Sequence, residues 1–207
     1  MEAMTNLKEI RIESNVEKLE LYSDQYPFSL PLRIKNFENE ADYNKFLKNC
    51  EKLIRGSIEY RQWRNYITDV LQVNSCFITN ERMDECTLEI HHHIPSLFTL
   101  LKGIVNKNME KDEAFSTFDI CMEAIELHFA NKVGYVAVIS SIHEKIHNNC
   151  LDIPKSLVQG NYVWFIENFS KYLDDEDLDI INRRLSIDKV DFSWAKDNYP
   201  GLMEKAS

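Results

Sequence analysis

The amino-acid sequence predicts an α+β protein: a mostly helical single domain with a small antiparallel strand element. Apolar residues recur at helical spacing through most of the chain, and two short β-like runs, CFIT and CTLEIH, flank the polar turn NERMDE. Only five glycines and five prolines interrupt 207 residues of 44% hydrophobic content, which is enough to bury one core.

In chain order, KEIRIES and EKLELYS alternate on either side of Asn15 and predict an N-terminal hairpin. YPFSLPLRI, with Pro27 and Pro31, reads as an extended crossing. From Asn39 to Gln72 the residues Tyr43, Phe46, Leu47, Leu53, Ile54, Ile58, Trp63, Tyr66, Ile67, Val70 and Leu71 mark two helices bent near Gly56. The strands CFIT and CTLEIH follow, and then two amphipathic helices, SLFTLLKGIVNKN and TFDICMEAIELHF. The apolar run GYVAVIS leads into a short helix over SIHEKIHNN. IPKSLVQGN reads as a loop, NYVWFIENFSKYL and DEDLDIINRRL as helices, and the last segment as packing through Trp194. The chain thus divides into a hairpin and helical region (1–75), a core region (76–149) and a C-terminal helical region (150–207).

No apolar run approaches the roughly 20 residues that span a bilayer, and MEAMTNLKEIRIES lacks a signal peptide's organisation, so the expectation is a cytoplasmic protein with no membrane partner. Cys50, Cys76, Cys86, Cys121 and Cys150 are an odd number without a CxxC pair, which predicts reduced thiols rather than a disulfide framework. A net charge of −10 excludes a broad basic surface, so a nucleic-acid partner would need a local patch. Part of that charge, DDEDLD at 174–179, suits the start of a helix. The densest basic stretch, Lys52, Arg55, Arg61 and Arg64, is interleaved with Tyr60, Trp63 and Tyr66; it reads first as an amphipathic helix with buried aromatics and solvated arginines.

Five of the six histidines fall into two groups, His91, His92 and His93 in LEIHHHIP and His143 and His147 in SIHEKIHNN. Residues four apart on a helix share a face, so His143 and His147 can share a metal ion. On an ideal strand His91 and His93 share one face and His92 takes the other, which suggests neighbours with different jobs. A strand end that supplies one ligand plus a base, facing a helix that supplies two ligands, makes a compact three-histidine site with an open position. His128, in IELHFANK, reads as a helix-face residue packing near the site.

Glu89, Ile90, His91, His92, two residues and Pro95, followed by His143, three residues, His147 and Asn148, resemble the two motifs of the HNH, or ββα-metal, nucleases, and of the colicin-type DNases among them. Cys76 followed by a turn fits the same pattern. The resemblance covers residues 76–149 and implies a ββα-metal (His-Me finger) motif with a helical insertion between its two histidine groups. It makes His91, His143 and His147 the ligands of one divalent ion, whether zinc, magnesium, manganese or nickel, and His92 the general base that activates water against a phosphodiester in DNA. Glu89 would orient a ligand histidine and Lys145 would meet phosphate. The register with His92 as ligand and His93 as base stays open. Asn131 is the nearest candidate for the middle asparagine, while Gly134 occupies the spacing nearest to that expected. Chains of this kind without a signal peptide are common in bacteria and their phages.

Two other function classes fit the same residues. HEKIH is also HExxH, the zinc-peptidase helix, whose third ligand would have to be a carboxylate such as Glu167. A non-catalytic HNH-fold protein would keep its metal for structure and bind a protein partner through the acidic helical additions. His92 separates the classes, because a structural site needs no histidine base beside its ligands.

Overall fold

The computed structural model describes residues 37–84, 86–111 and 114–189, together with the backbone at Leu19–Glu20 and Pro31–Leu32. Strand β1 (Leu19–Glu20) pairs antiparallel with β2 (Pro31–Leu32). The hairpin centred on Asn15 otherwise lies outside the described residues, as does Trp194.

Helix α1 (Glu40–Gly56) starts at Asn39, whose side chain accepts from the Asp42 N–H, and ends at Gly56. Ser57 then makes the predicted bend. Its N–H and its hydroxyl both donate to the Ile54 carbonyl in the last turn of α1, and the hydroxyl accepts from the Tyr60 N–H to open α2 (Ile58–Asn65). A π-helical turn, Tyr66–Val70, closes this unit. Tyr60 and Trp63 are buried while Arg55, Arg61 and Arg64 are exposed, so the basic stretch is an amphipathic face; Tyr66 alone of its aromatics is open to solvent.

The strand pairing differs from the sequence expectation. CTLEIH does form β3 (Leu88–His92), but its partner is not CFIT. Residues 77–79 are a turn in which the Thr79 N–H donates to Cys76 Sγ, with a single bridge between Ser75 and Arg82. The partner is β4 (Tyr135–Ile139), antiparallel in the register Leu88↔Ile139 to His92↔Tyr135. Every residue of β4 is buried, so the run carries no polar alternation to announce a strand.

Between β3 and β4 lie α3 (Leu97–Glu110) and α4 (Thr117–Phe129), the two amphipathic stretches read from the sequence. Ser96 caps α3, and Ser116 with Asp119 forms a capping box at α4. Helices α1, α3 and α4 pack on one another around Leu47, Ile54, Leu100, Leu101, Ile104, Ile120 and Ala124, all fully buried. This helical layer supports the two-stranded sheet, and α5 (Ser140–His147), leaving β4 directly, packs on both strands. Helices α6 (Tyr162–Phe169) and α7 (Asp175–Leu185) complete the described structure. The Asp174 carboxylate accepts from the Asp177 N–H at the start of α7, and Lys102 Nζ reaches Asp174 at 2.5 Å and Asp177 at 2.6 Å, which ties the acidic helix start to α3. The architecture is therefore mixed and mostly helical, with a small antiparallel sheet.

Gly134 joins the insertion to β4 by a close backbone approach. Its N–H donates to the Ile94 carbonyl at 2.8 Å, and a Cβ at this position would collide with the same oxygen. Gly134→Ala is expected to cost about 2 kcal/mol or more, because the backbone itself must shift, and a lowered urea midpoint would show it.

Candidate metal centre

The pleat of β3 decides which histidines meet. Glu89, His91 and His93 lie on one face and Leu88, Ile90 and His92 on the other. Because α5 follows β4 without a loop and packs back over the sheet, its i,i+4 pair faces the first set. The ring of His91 stands 4.9 Å from that of His143 and 5.2 Å from that of His147, centre to centre, and the helical pair is 4.4 Å apart. One nitrogen from each of the three lies within 4.8 Å of the others. Ligands of a tetrahedral zinc ion stand about 3.3 Å apart, a difference that side-chain rotation covers.

The hydrogen bonds around the triad fix its proton positions. His143 Nδ1 meets Glu89 Oε2 at 2.5 Å, and Glu89 Oε1 accepts from the Ser140 hydroxyl at 2.6 Å. Burial lowers the His143 pKa, with the His147 charge adding to it, and outweighs the Glu89 carboxylate. The contact is therefore a neutral imidazole donating Nδ1–H to a carboxylate, which turns the Nε2 lone pair toward His147, whose Nε2 donates to it and which an ion would displace. The two Nε2 atoms lie 3.0 Å apart. Burial, followed by the nearby His143, His93 and His147, holds the His91 pKa far below its ordinary value, and its Nε2 is buried with no hydrogen-bond partner. A buried orphan nitrogen on one ring, a lone pair oriented by a carboxylate on the second and an exposed third ring form a donor set that fits a divalent ion. Glu89→Ala frees His143 to rotate, so affinity for zinc or manganese is expected to fall about ten- to a hundredfold by isothermal titration, with the fold retained.

His92 is not at this site. Its ring stacks on Tyr60 and Trp63, at centroid distances of 5.9 and 5.5 Å, and its Nε2 meets His128 Nε2 at 2.7 Å in the core behind the sheet. His128 Nδ1 lies 2.6 Å from the Ala124 carbonyl and must donate to it, so His128 Nε2 accepts and His92 Nε2 carries the proton. Both rings are held neutral by burial. The role of base beside the ligands, assigned to His92 by the resemblance, is therefore corrected: strand alternation sends that side chain to the opposite face. His93 takes the ligand face, its ring 5.9 Å from His91 and buried, with the backbone of Ile153 beside it. Burial, and then the charge of Arg184, lowers its pKa to about 3.

Asn131 also lies elsewhere. It ends α4 in the left-handed conformation, φ 56°, which asparagine tolerates, and its carbonyl accepts from the Asn161 N–H. This is the end of β4 opposite α5, and among the described residues no hydrogen bond links Asn131 to the histidine group. Gly134 cannot be replaced by an asparagine for the steric reason given above. Glu144 and Glu167 are exposed, and the third member of the metal-binding group is His91 rather than Glu167. Lys145 is half-buried.

One residue near the centre had no signal in the sequence reading: Arg184 of α7, whose Nη1 donates to the His93 carbonyl. It stands 91 positions from His93, in a helix-end pair that reads as an ordinary complement to the macrodipole.

No described helix is long and apolar enough to cross a membrane. No curated protein and no solved structure matches the chain. Residues 2–198 do match a family model over nearly the whole chain, described parts and undescribed alike, and the chain accordingly belongs to the bacteriophage G278-like virion protein family.

Proposed function

We propose that this chain is a metal-dependent phosphodiester hydrolase carried in a phage virion, with a ββα-metal centre built from His91, His143 and His147. One observation carries the reading: a strand, an antiparallel strand and a helix in that order bring three histidine nitrogens within 4.8 Å, with Glu89 orienting one of them. A bound divalent ion would stabilise charge developing on the phosphate and the leaving oxygen. Burial holds His91 and His143 neutral, and His93, 5.9 Å from His91 on the same face, would take the proton from the attacking water once substrate and ion open the site. DNA as substrate comes from the resemblance to HNH nucleases. The virion, from the family's description, takes the place of a free cytoplasmic pool.

The burial of His92 behind the sheet favours a second reading, in which the ion is structural and the virion protein binds a protein partner through its acidic helices. Incubation with plasmid and single-stranded DNA under magnesium, manganese, nickel or zinc separates the two. Nicking that disappears in His93→Ala, with metal still bound, is the expected result. Tight metal binding without cleavage under any of the four would put the structural reading in its place.

A further inference from the structure

The triad and its neighbours present nitrogen ligands and one carboxylate, Glu89, already engaged with His143 and Ser140. The cation beside them is less completely matched. Arg184 occupies the last turn of α7, next to the exposed Arg183, which can serve the helix dipole from solvent. Arg184 itself is half-buried, and its Nη1 donates to the His93 carbonyl. A guanidinium has five N–H donors in a planar fork, so this bond leaves most of them for another acceptor. Asp152 is the acid that acts on it, from beyond ion-pair distance among the described residues. Taking a cation partly out of water with no close counter-charge is costly, and an anion bound beside the candidate metal centre would offset that cost.

We propose that Arg184 anchors a phosphate group at this centre, so that the site takes a phosphoryl oxygen anion between the guanidinium and the histidine triad. The inference rests on the metal-centre reading above and deepens it by naming a residue, outside the histidine motifs, that holds the phosphate. Proximity supports it from both sides: Arg184 touches the backbone of His93, and its charge reaches the rings of both His91 and His93. A planar fork suits two oxygens of a tetrahedral anion, a match that lysine reproduces only as a point charge. Arg184 comes from a helix outside residues 76–149, so this contact belongs to the C-terminal addition.

The test is calorimetric titration of the full chain with inorganic phosphate, with and without manganese, in wild type, Arg184→Gln and Arg184→Lys. Manganese affinity is measured separately in each. Phosphate affinity is expected to fall at least about tenfold in Arg184→Gln and less in Arg184→Lys, with manganese affinity unchanged. Equal phosphate affinity in wild type and Arg184→Gln, or no phosphate binding to wild type, overturns the proposal. Should wild type bind no manganese, the metal-centre reading falls alone, and the metal-free phosphate titration still decides the role of Arg184. If Arg184→Gln does not fold, phenylglyoxal labelling of wild type read by peptide mass replaces it. Protection of Arg184 by phosphate supports the anchor, and unchanged labelling overturns it.

Discussion

His91→Ala and His143→Ala are each expected to weaken divalent-ion binding by more than about a hundredfold, since removing a group that merely orients a ligand already costs about ten- to a hundredfold. His91 is the stronger case. Its Nε2 is buried without a hydrogen-bond partner, and a bound ion would supply one. His143→Ala removes the ring that Glu89 positions and leaves that carboxylate with Ser140 alone. Both variants should fold, because Leu88, Ile90 and the strand β4 keep the sheet anchored in the core. A circular-dichroism spectrum unchanged from wild type, with metal binding lost, is the paired result to look for.

Acid stability is the second large effect, and it comes from His128 of α4, packed against His92 on the other face of β3. His128 is fully buried and neutral, and burial pushes its pKa down to about 4, with the Arg55 charge adding to it against the opposing pull of the Ala124 carbonyl. Above the unfolded value near 6.5, neither folded nor unfolded chain protonates this ring and it contributes no pH dependence. As pH falls from there toward 4, the unfolded chain takes up a proton that the folded chain refuses. Stability is therefore lost across that window, by about 3 kcal/mol from this residue, and the loss levels off below it. His128→Gln keeps a polar partner for His92 and cannot titrate. Urea midpoints at pH 7 and pH 4.5 should separate more widely in wild type than in the variant; equal separations would refute the assignment.

The sequence carried much of this arrangement, unevenly. Helices α3 and α4 were legible because their apolar residues recur at 3.6-residue spacing on one face, and the bend was marked by Gly56. Strand β4 was not, since burial on every side removes the alternation that distinguishes a strand from a buried helix. The triad His91, His143 and His147 came from spacing and resemblance together, and the structure brings those three together. The assignment of His92 shows two sources of inference in conflict. Alternation along a strand places His91 and His93 on one face and His92 on the other, and the structure follows that physical rule rather than the motif's order of roles. Asn131 met a similar fate: the requirement for a left-handed residue at the end of α4 accounts for it. Arg184 was invisible because its proximity to His93 exists only after α7 has docked.

The central claim is that three histidines from a strand and a helix hold one divalent ion. Metal content per chain, measured by inductively coupled plasma mass spectrometry after loading with zinc or manganese and desalting, tests it most directly in wild type and in His91→Ala/His143→Ala/His147→Ala. One ion per wild-type chain and none in the triple variant is the predicted result. A wild-type chain that retains no metal, or a triple variant that retains as much as wild type, would contradict it.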